Sequence, residues 1–154
     1  MTEPRNKHLL LIVEDDEDDY FLITQILKKT EIACEVRWAK DGEEAMNYLL
    51  RQKEWQESSN SPRPSLILLD INMPKKNGLE VLQDLQKHPT LKNLFTIVFT
   101  SSKNEDNIIL AYNHGANSYI QKPSEIEQLT KKVQTILDYW LQWVEPPFNL
   151  AEGK

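Results

Sequence analysis

At 154 residues with a formal net charge of -6, the chain is sized for one domain with helices on both sides of a sheet, and it is too acidic for a surface that grips nucleic-acid phosphate. Its single cysteine, Cys34, excludes an internal disulfide or a cysteine zinc cluster; it reads as a small residue packed in a strand, as suits a reducing cytoplasm. No stretch reaches the ~18 apolar residues of a membrane span, and the first apolar run is too short for a secretion signal.

Strand-like and helix-like runs alternate along the chain, the pattern of βα units around a parallel sheet. The first apolar run, Leu9-Leu10-Leu11-Ile12-Val13, predicts a strand over 8–13 and ends in Glu14-Asp15-Asp16. A helix follows over 18–30 with Ile23, Ile26 and Leu27 inward, then a strand of mixed polarity over 34–39 and a helix over 42–53. Residues 54–64, rich in serine and proline, read as a long surface loop. Leu66-Ile67-Leu68-Leu69 predicts a buried strand over 65–70 that terminates in Asp70, followed by a helix over 78–87. Thr96-Ile97-Val98-Phe99 predicts a strand over 95–100 ending in Thr100, and a short helix over 105–113 follows. The last strand, 118–121, runs into Lys122-Pro123, and a final helix spans 125–144 until Pro146-Pro147 stops it. Its core stripe is Ile126, Leu129, Val133, Ile136, Leu137, Trp140 and Val144, while Tyr139 and Trp143 project to one side.

If the strands are parallel in one sheet, their ends bring two acidic positions, a hydroxyl and an ammonium to one edge, where open α/β sheets place their sites. Carboxylates crowded there cannot all ionise unless a cation holds them, and without His or Cys nearby magnesium is the natural candidate. Glu17, Asp18 and Asp19 are explained by the positive end of the following helix; Glu14 and Asp15, directly after the strand, are explained less well that way. Asp70 can act as a metal ligand or as a nucleophile toward a phosphoryl group, with Lys122 and the metal offsetting the developing charge. An X-Pro bond can be cis, and the Lys122–Pro123 bond is predicted to be so, aiming Lys122 at Asp70. Thr100 offers a hydroxyl to a phosphoryl oxygen or caps the backbone.

Together Glu14-Asp15, Asp70-Ile-Asn-Met-Pro74-Lys-Lys-Asn-Gly78, Thr100-Ser101, Gly115-Ala116, Tyr119 and Lys122-Pro123 resemble the receiver domains of two-component response regulators. The resemblance covers about residues 8–140 and implies one receiver domain across 1–154, with an extended final helix and tail over about 139–154. It implies a flavodoxin-like, doubly wound five-stranded parallel sheet in 2-1-3-4-5 order with five helices. Asp70 would accept phosphate from a histidine kinase. Asp15 would ligate Mg2+ with Asp70, supported by Glu14 and the backbone carbonyl of Asn72. Lys122 would contact the phosphoryl group, and Thr100 with Tyr119 would report its arrival to a downstream protein. The segment 62–78, the run 100–106 and the tryptophan-bearing last helix look like the small stand-alone regulators paired with cyanobacterial phytochrome kinases. In those, the extended end contributes to a homodimer, which would account for Tyr139, Trp143 and Phe148.

Two rivals are weaker. A phosphohydrolase using Asp70 as nucleophile would want a second acid two positions on, where Asn72 stands and cannot protonate a leaving group. A flavodoxin would need small and hydroxyl residues around a flavin phosphate, which Glu14-Asp15-Asp16 would repel. The reading is therefore a cytoplasmic signalling switch rather than an enzyme, with no direct contact to nucleic acid or membrane.

Overall fold

The computed structural model describes residues 8–57 and 61–147. Phe148 and the tail beyond it lie outside the described residues, as do Ser58, Ser59 and Asn60 in the predicted loop. In chain order the elements are β1 (His8–Val13), α1 (Glu17–Lys28), β2 (Cys34–Ala39), α2 (Gly42–Leu49), β3 (Leu66–Leu69), α3 (Gly78–Gln86), β4 (Thr96–Thr100), α4 (Glu105–Asn113), β5 (Ser118–Gln121) and α5 (Ile126–Asp138). The strands are all parallel and ordered β2-β1-β3-β4-β5, so the predicted flavodoxin-like sheet is the observed one.

The period-2 alternation of the central strands builds two cores from one run of apolar residues. Leu9, Leu11, Val13, Ile67, Leu69 and Val98 face α2, α3 and α4. Leu10, Ile12, Leu66, Leu68, Ile97 and Phe99 face α1 and α5. The edge strand β2 is only half-buried at Cys34, Val36 and Trp38, which is why its sequence is mixed in polarity.

Helix starts follow from side-chain caps that satisfy orphan backbone N–H groups. Asp16 accepts from the N–H groups of Asp18 and Asp19, Asp41 from Glu44, and Asn104 from Asp106. Asn77 and Glu80 form a reciprocal capping box on α3.

Three predicted segments differ. The second helix stops at Leu49, and a short 3₁₀ turn, Lys53–Trp55, follows. Beyond it the described part of the predicted surface loop is tied down. Trp55 packs edge-on to Tyr48 at 4.9 Å, the Tyr48 hydroxyl donates to Pro62 O, and the fully buried Ser61 hydroxyl donates to Trp55 O. The third difference is in the last helix, which passes from α-helix to a π-helical turn at Tyr139–Trp143, closed by Val144 N–H donating to Tyr139 O at 3.0 Å. The wider winding shifts the helical phase. Leu141, absent from the predicted stripe, is buried, whereas Ile126 at the other end is 67 % exposed and lines the cleft instead of the core. Tyr139 and Trp143 stand out at 53 % and 73 % exposed, as their spacing predicts. No helix among the described residues is long and apolar enough to cross a membrane.

Candidate functional site

The chain leaves β1 toward α1 and β2 on one side, while β3 pairs on β1's other side, so the crevice of the fold opens at the ends of β1 and β3. Sheet hydrogen bonds fix both ends: Glu14 N–H donates to Ala39 O at 2.9 Å, and Asp70 N–H donates to Val13 O at 3.0 Å. Glu14, Asp15 and Asp70 then present carboxylate oxygens that all lie within 4.8 Å of one another. Glu14 and Asp70 are buried and Asp15 is exposed, so the cluster is closed below and open to solvent above. The cleft over it measures about 770 Å³.

Lys122 arrives from the end of β5. Its N–H donates to Thr100 O at 2.7 Å, extending the ladder by one residue, and its side chain, 9 % exposed, reaches back across the sheet edge. The ammonium donates to Glu14 Oε1, lies 2.8 Å from Asp19 Oδ2 and stands 3.5 Å from Asp70 Oδ2. The expected approach to Asp70 is present, but the expected cis bond is not: no cis peptide occurs among the described residues, so Lys122–Pro123 is trans. The backbone bond to Thr100 already directs the residue to the edge, and a preference of only ~0.5–1 kcal/mol between X-Pro isomers is too small for sequence to decide.

Asp19 is a further correction. Its N–H is bound by the Asp16 cap, as the helix-end reading requires, but its side chain is a partner of Lys122. Asp15 precedes the Asp16 cap and lies outside α1, so helical spacing gave no signal for the Asp19 contact. Trp38 also went unread: its indole N–H donates to Glu14 O at 2.8 Å while its ring stacks on Tyr20 at 4.0 Å, fixing the turn that carries Glu14 and Asp15. Nothing in the sequence announces that contact.

The loop after β3 is held from below. Gly78 N–H donates to Ile71 O at 3.0 Å, Gly42 N–H donates to Lys76 O at 3.0 Å, and Asn72 N–H lies 3.3 Å from Asp70 Oδ1. Asn72 lines the cleft. Thr100 is fully buried at the end of β4, and its hydroxyl accepts from Ser102 N–H at 3.4 Å. Tyr119 does not line the cleft. Its hydroxyl donates to Ser102 O at 3.0 Å, so Ser102 joins the two predicted switch residues.

Burial and the neighbouring Asp70 push the Glu14 carboxyl up to about 8, while the Lys122 ammonium pulls it back. Burial would lower Lys122, but the Glu14 and Asp70 carboxylates outweigh it and hold the ammonium above its ordinary value. Six carboxylates and one ammonium line the cleft. That imbalance, together with all-oxygen donors open to water, fits a hard divalent cation.

A buried carboxylate at the switch point of a 2-1-3-4-5 sheet, faced by an acidic pair and a lysine, is the arrangement of a receiver-type signalling module. The chain belongs to the response regulator receiver domain family, whose model matches residues 10–134. It is 42 % identical over 139 residues to the response regulator Rcp1 of Synechocystis sp., covering 90 % of this chain and 92 % of that protein. The Mn(2+)-bound form of Rcp1 superposes with a TM-score of 0.86 at 41 % identity, over 92 % of this chain and 99 % of that one. The phosphorylated cyanobacterial phytochrome response regulator RcpA gives a TM-score of 0.86 at 39 % identity, over 92 % and 99 %.

Proposed function

We propose that this response regulator takes a phosphoryl group from a phytochrome-type histidine kinase onto Asp70 with Mg2+, and acts through a changed surface rather than a released product. The observation that carries the reading is the Asp70 carboxylate held between the acidic turn and Lys122. Asp70 would attack the phosphorus with one oxygen. The resulting acyl phosphate leaves the kinase histidine with the electron pair of the broken P–N bond. Asp15, Asp70, Glu14 and the Asn72 carbonyl would hold the cation, which supplies charge neutralisation, and Lys122 would bind a phosphoryl oxygen. Phe21 and Ile126, 61 % and 67 % exposed at the cleft wall, offer the donor an apolar footing. The test is transfer from a purified, autophosphorylated phytochrome kinase: label should move to this chain, and retention on the kinase at equimolar regulator overturns the pairing.

Thr100 would engage the phosphoryl group and draw Ser102 inward, changing the hold on Tyr119. The Ser102 hydroxyl also accepts from Asn104 N–H and Asn107 Nδ2, so the start of α4 moves with it. A downstream protein would read the surface of α4, β5 and α5. Thr100→Ala should become phosphorylated yet lose most of the change in hydrogen exchange over α4; an unchanged response overturns the coupling.

Tyr139 and Trp143 would form a two-fold interface between copies in the cytoplasm. The Trp143 indole is tied to Asp138 Oδ2 at 3.1 Å, holding its ring on the outer face. Sedimentation at micromolar concentration should give a dimer for the parent and a monomer for Trp143→Ala. A monomeric parent overturns the interface.

A further inference from the structure

Lys122 has three carboxylate partners, Glu14, Asp19 and Asp70. Its ammonium must leave its resting partners to meet an incoming phosphoryl group, and before that it competes with any metal for Asp70 and Glu14. Among the three carboxylates around it, Asp19 is the one outside the triad that converges on the cation position. Asp19 comes from the first turn of α1, fixed by the Asp16 cap, and its oxygen is 2.8 Å from Nζ against 3.5 Å for Asp70. At a side-chain exposure of 30 % Asp19 sits at the rim, whereas Glu14 and Asp70 form the floor.

We propose that Asp19 is a positioning residue that, together with the Glu14 contact, anchors Lys122 toward the rim of the cleft and leaves the Asp70 oxygens open to a divalent cation. This rests on the receiver reading of the site. Without the Asp19 charge, the ammonium, already bound to Glu14, has Asp70 as its other carboxylate partner, so it closes on Asp70 and the cation must displace it. An ammonium on a four-carbon stem makes that shift by rotamer changes alone. Asp19 thus acts through Lys122 and touches neither the cation position nor the phosphoryl group.

The experiment is a calorimetric titration of the full chain with MgCl2, in a double-mutant cycle of Asp19→Asn and Lys122→Met. Asp19→Asn, nearly isosteric and rim-exposed, should weaken Mg2+ binding about fivefold, the coupling expected of groups in direct contact. In the Lys122→Met background the same change should alter affinity less than about twofold. An equal loss in both backgrounds means that Asp19 acts on the cation as a simple charge, and that overturns the proposal, as does unchanged affinity in the single variant. If Lys122→Met does not fold, a metal-free crystal structure of Asp19→Asn decides: Lys122 Nζ should move into hydrogen-bond contact with Asp70, and an ammonium still at 3.5 Å overturns the anchor. Treating the parent with acetyl phosphate and Mg2+ separates the two levels: lack of phosphorylation at Asp70 defeats the receiver reading, whereas the cycle tests only the anchor.

Discussion

Asp70→Asn is expected to reduce phosphorylation by acetyl phosphate and Mg2+ to background while leaving the fold intact. The amide is nearly the same size as the carboxylate and keeps an acceptor oxygen for Asn72 N–H, so the loop after β3 retains its geometry. What it lacks is an anionic oxygen able to attack phosphorus. It also removes one of the three carboxylates within 4.8 Å of one another, so Mg2+ binding should weaken in the same variant. Intact-mass measurement on parent and variant, each with and without excess chelator, checks both halves. Acyl phosphate on Asp70→Asn, or full phosphorylation of the parent in chelator, would overturn the assignment of acceptor and cation together.

Gly78→Ala should damage both the stability and the site. A Cβ at Gly78 would lie 2.3 Å from Asp70 O and 2.9 Å from Ile71 Cα, and both are backbone atoms at the end of a buried strand. Neither can give way without moving Asp70 itself. The expected cost is about 1–3 kcal/mol of overpacking, or roughly 3–9 °C in Tm, with weaker Mg2+ binding as the loop shifts. Gly115 makes the contrast: its φ of 97° strains any other residue, but its Cβ would meet only the flexible Gln86 side chain. Calorimetric melting of Gly78→Ala with and without Mg2+ checks this, and a variant as stable as the parent with equal metal response would contradict it.

The sheet was legible because buried parallel strands are written as uninterrupted apolar runs, each ending where the chain turns polar. Asp70, Glu14 and Asp15 could be found for the same reason, since a charge directly after such a run must emerge at the sheet's edge, whereas Lys122 follows the half-buried β5 and was marked by the proline after it and by the family resemblance. Side-chain choices beyond that edge were not legible. The sequence could place Asp19 in the first turn of α1 but could not say that Lys122 would reach it from the far end of the chain. The inward reading of Ile126 failed because a helical stripe does not reveal which of its residues line the cleft instead of the core. Past Asp138 a fixed turn of 100° per residue no longer held, since one π turn resets the phase and buries Leu141.

The alternation of the central strands leaves the sheet as a partition between two separately packed compartments, α1 and α5 on one side and α2, α3 and α4 on the other. The Thr100–Ser102–Tyr119 hydrogen bonds lie at the sheet's rim, past the ends of β4 and β5. A change on the outer face of α1 and one on α4 share no partner and should therefore combine additively. Choice of upstream partner can then drift by substitutions such as those at Phe21 without retuning the surface that α4 shows, and the rim is where the two histories must stay matched.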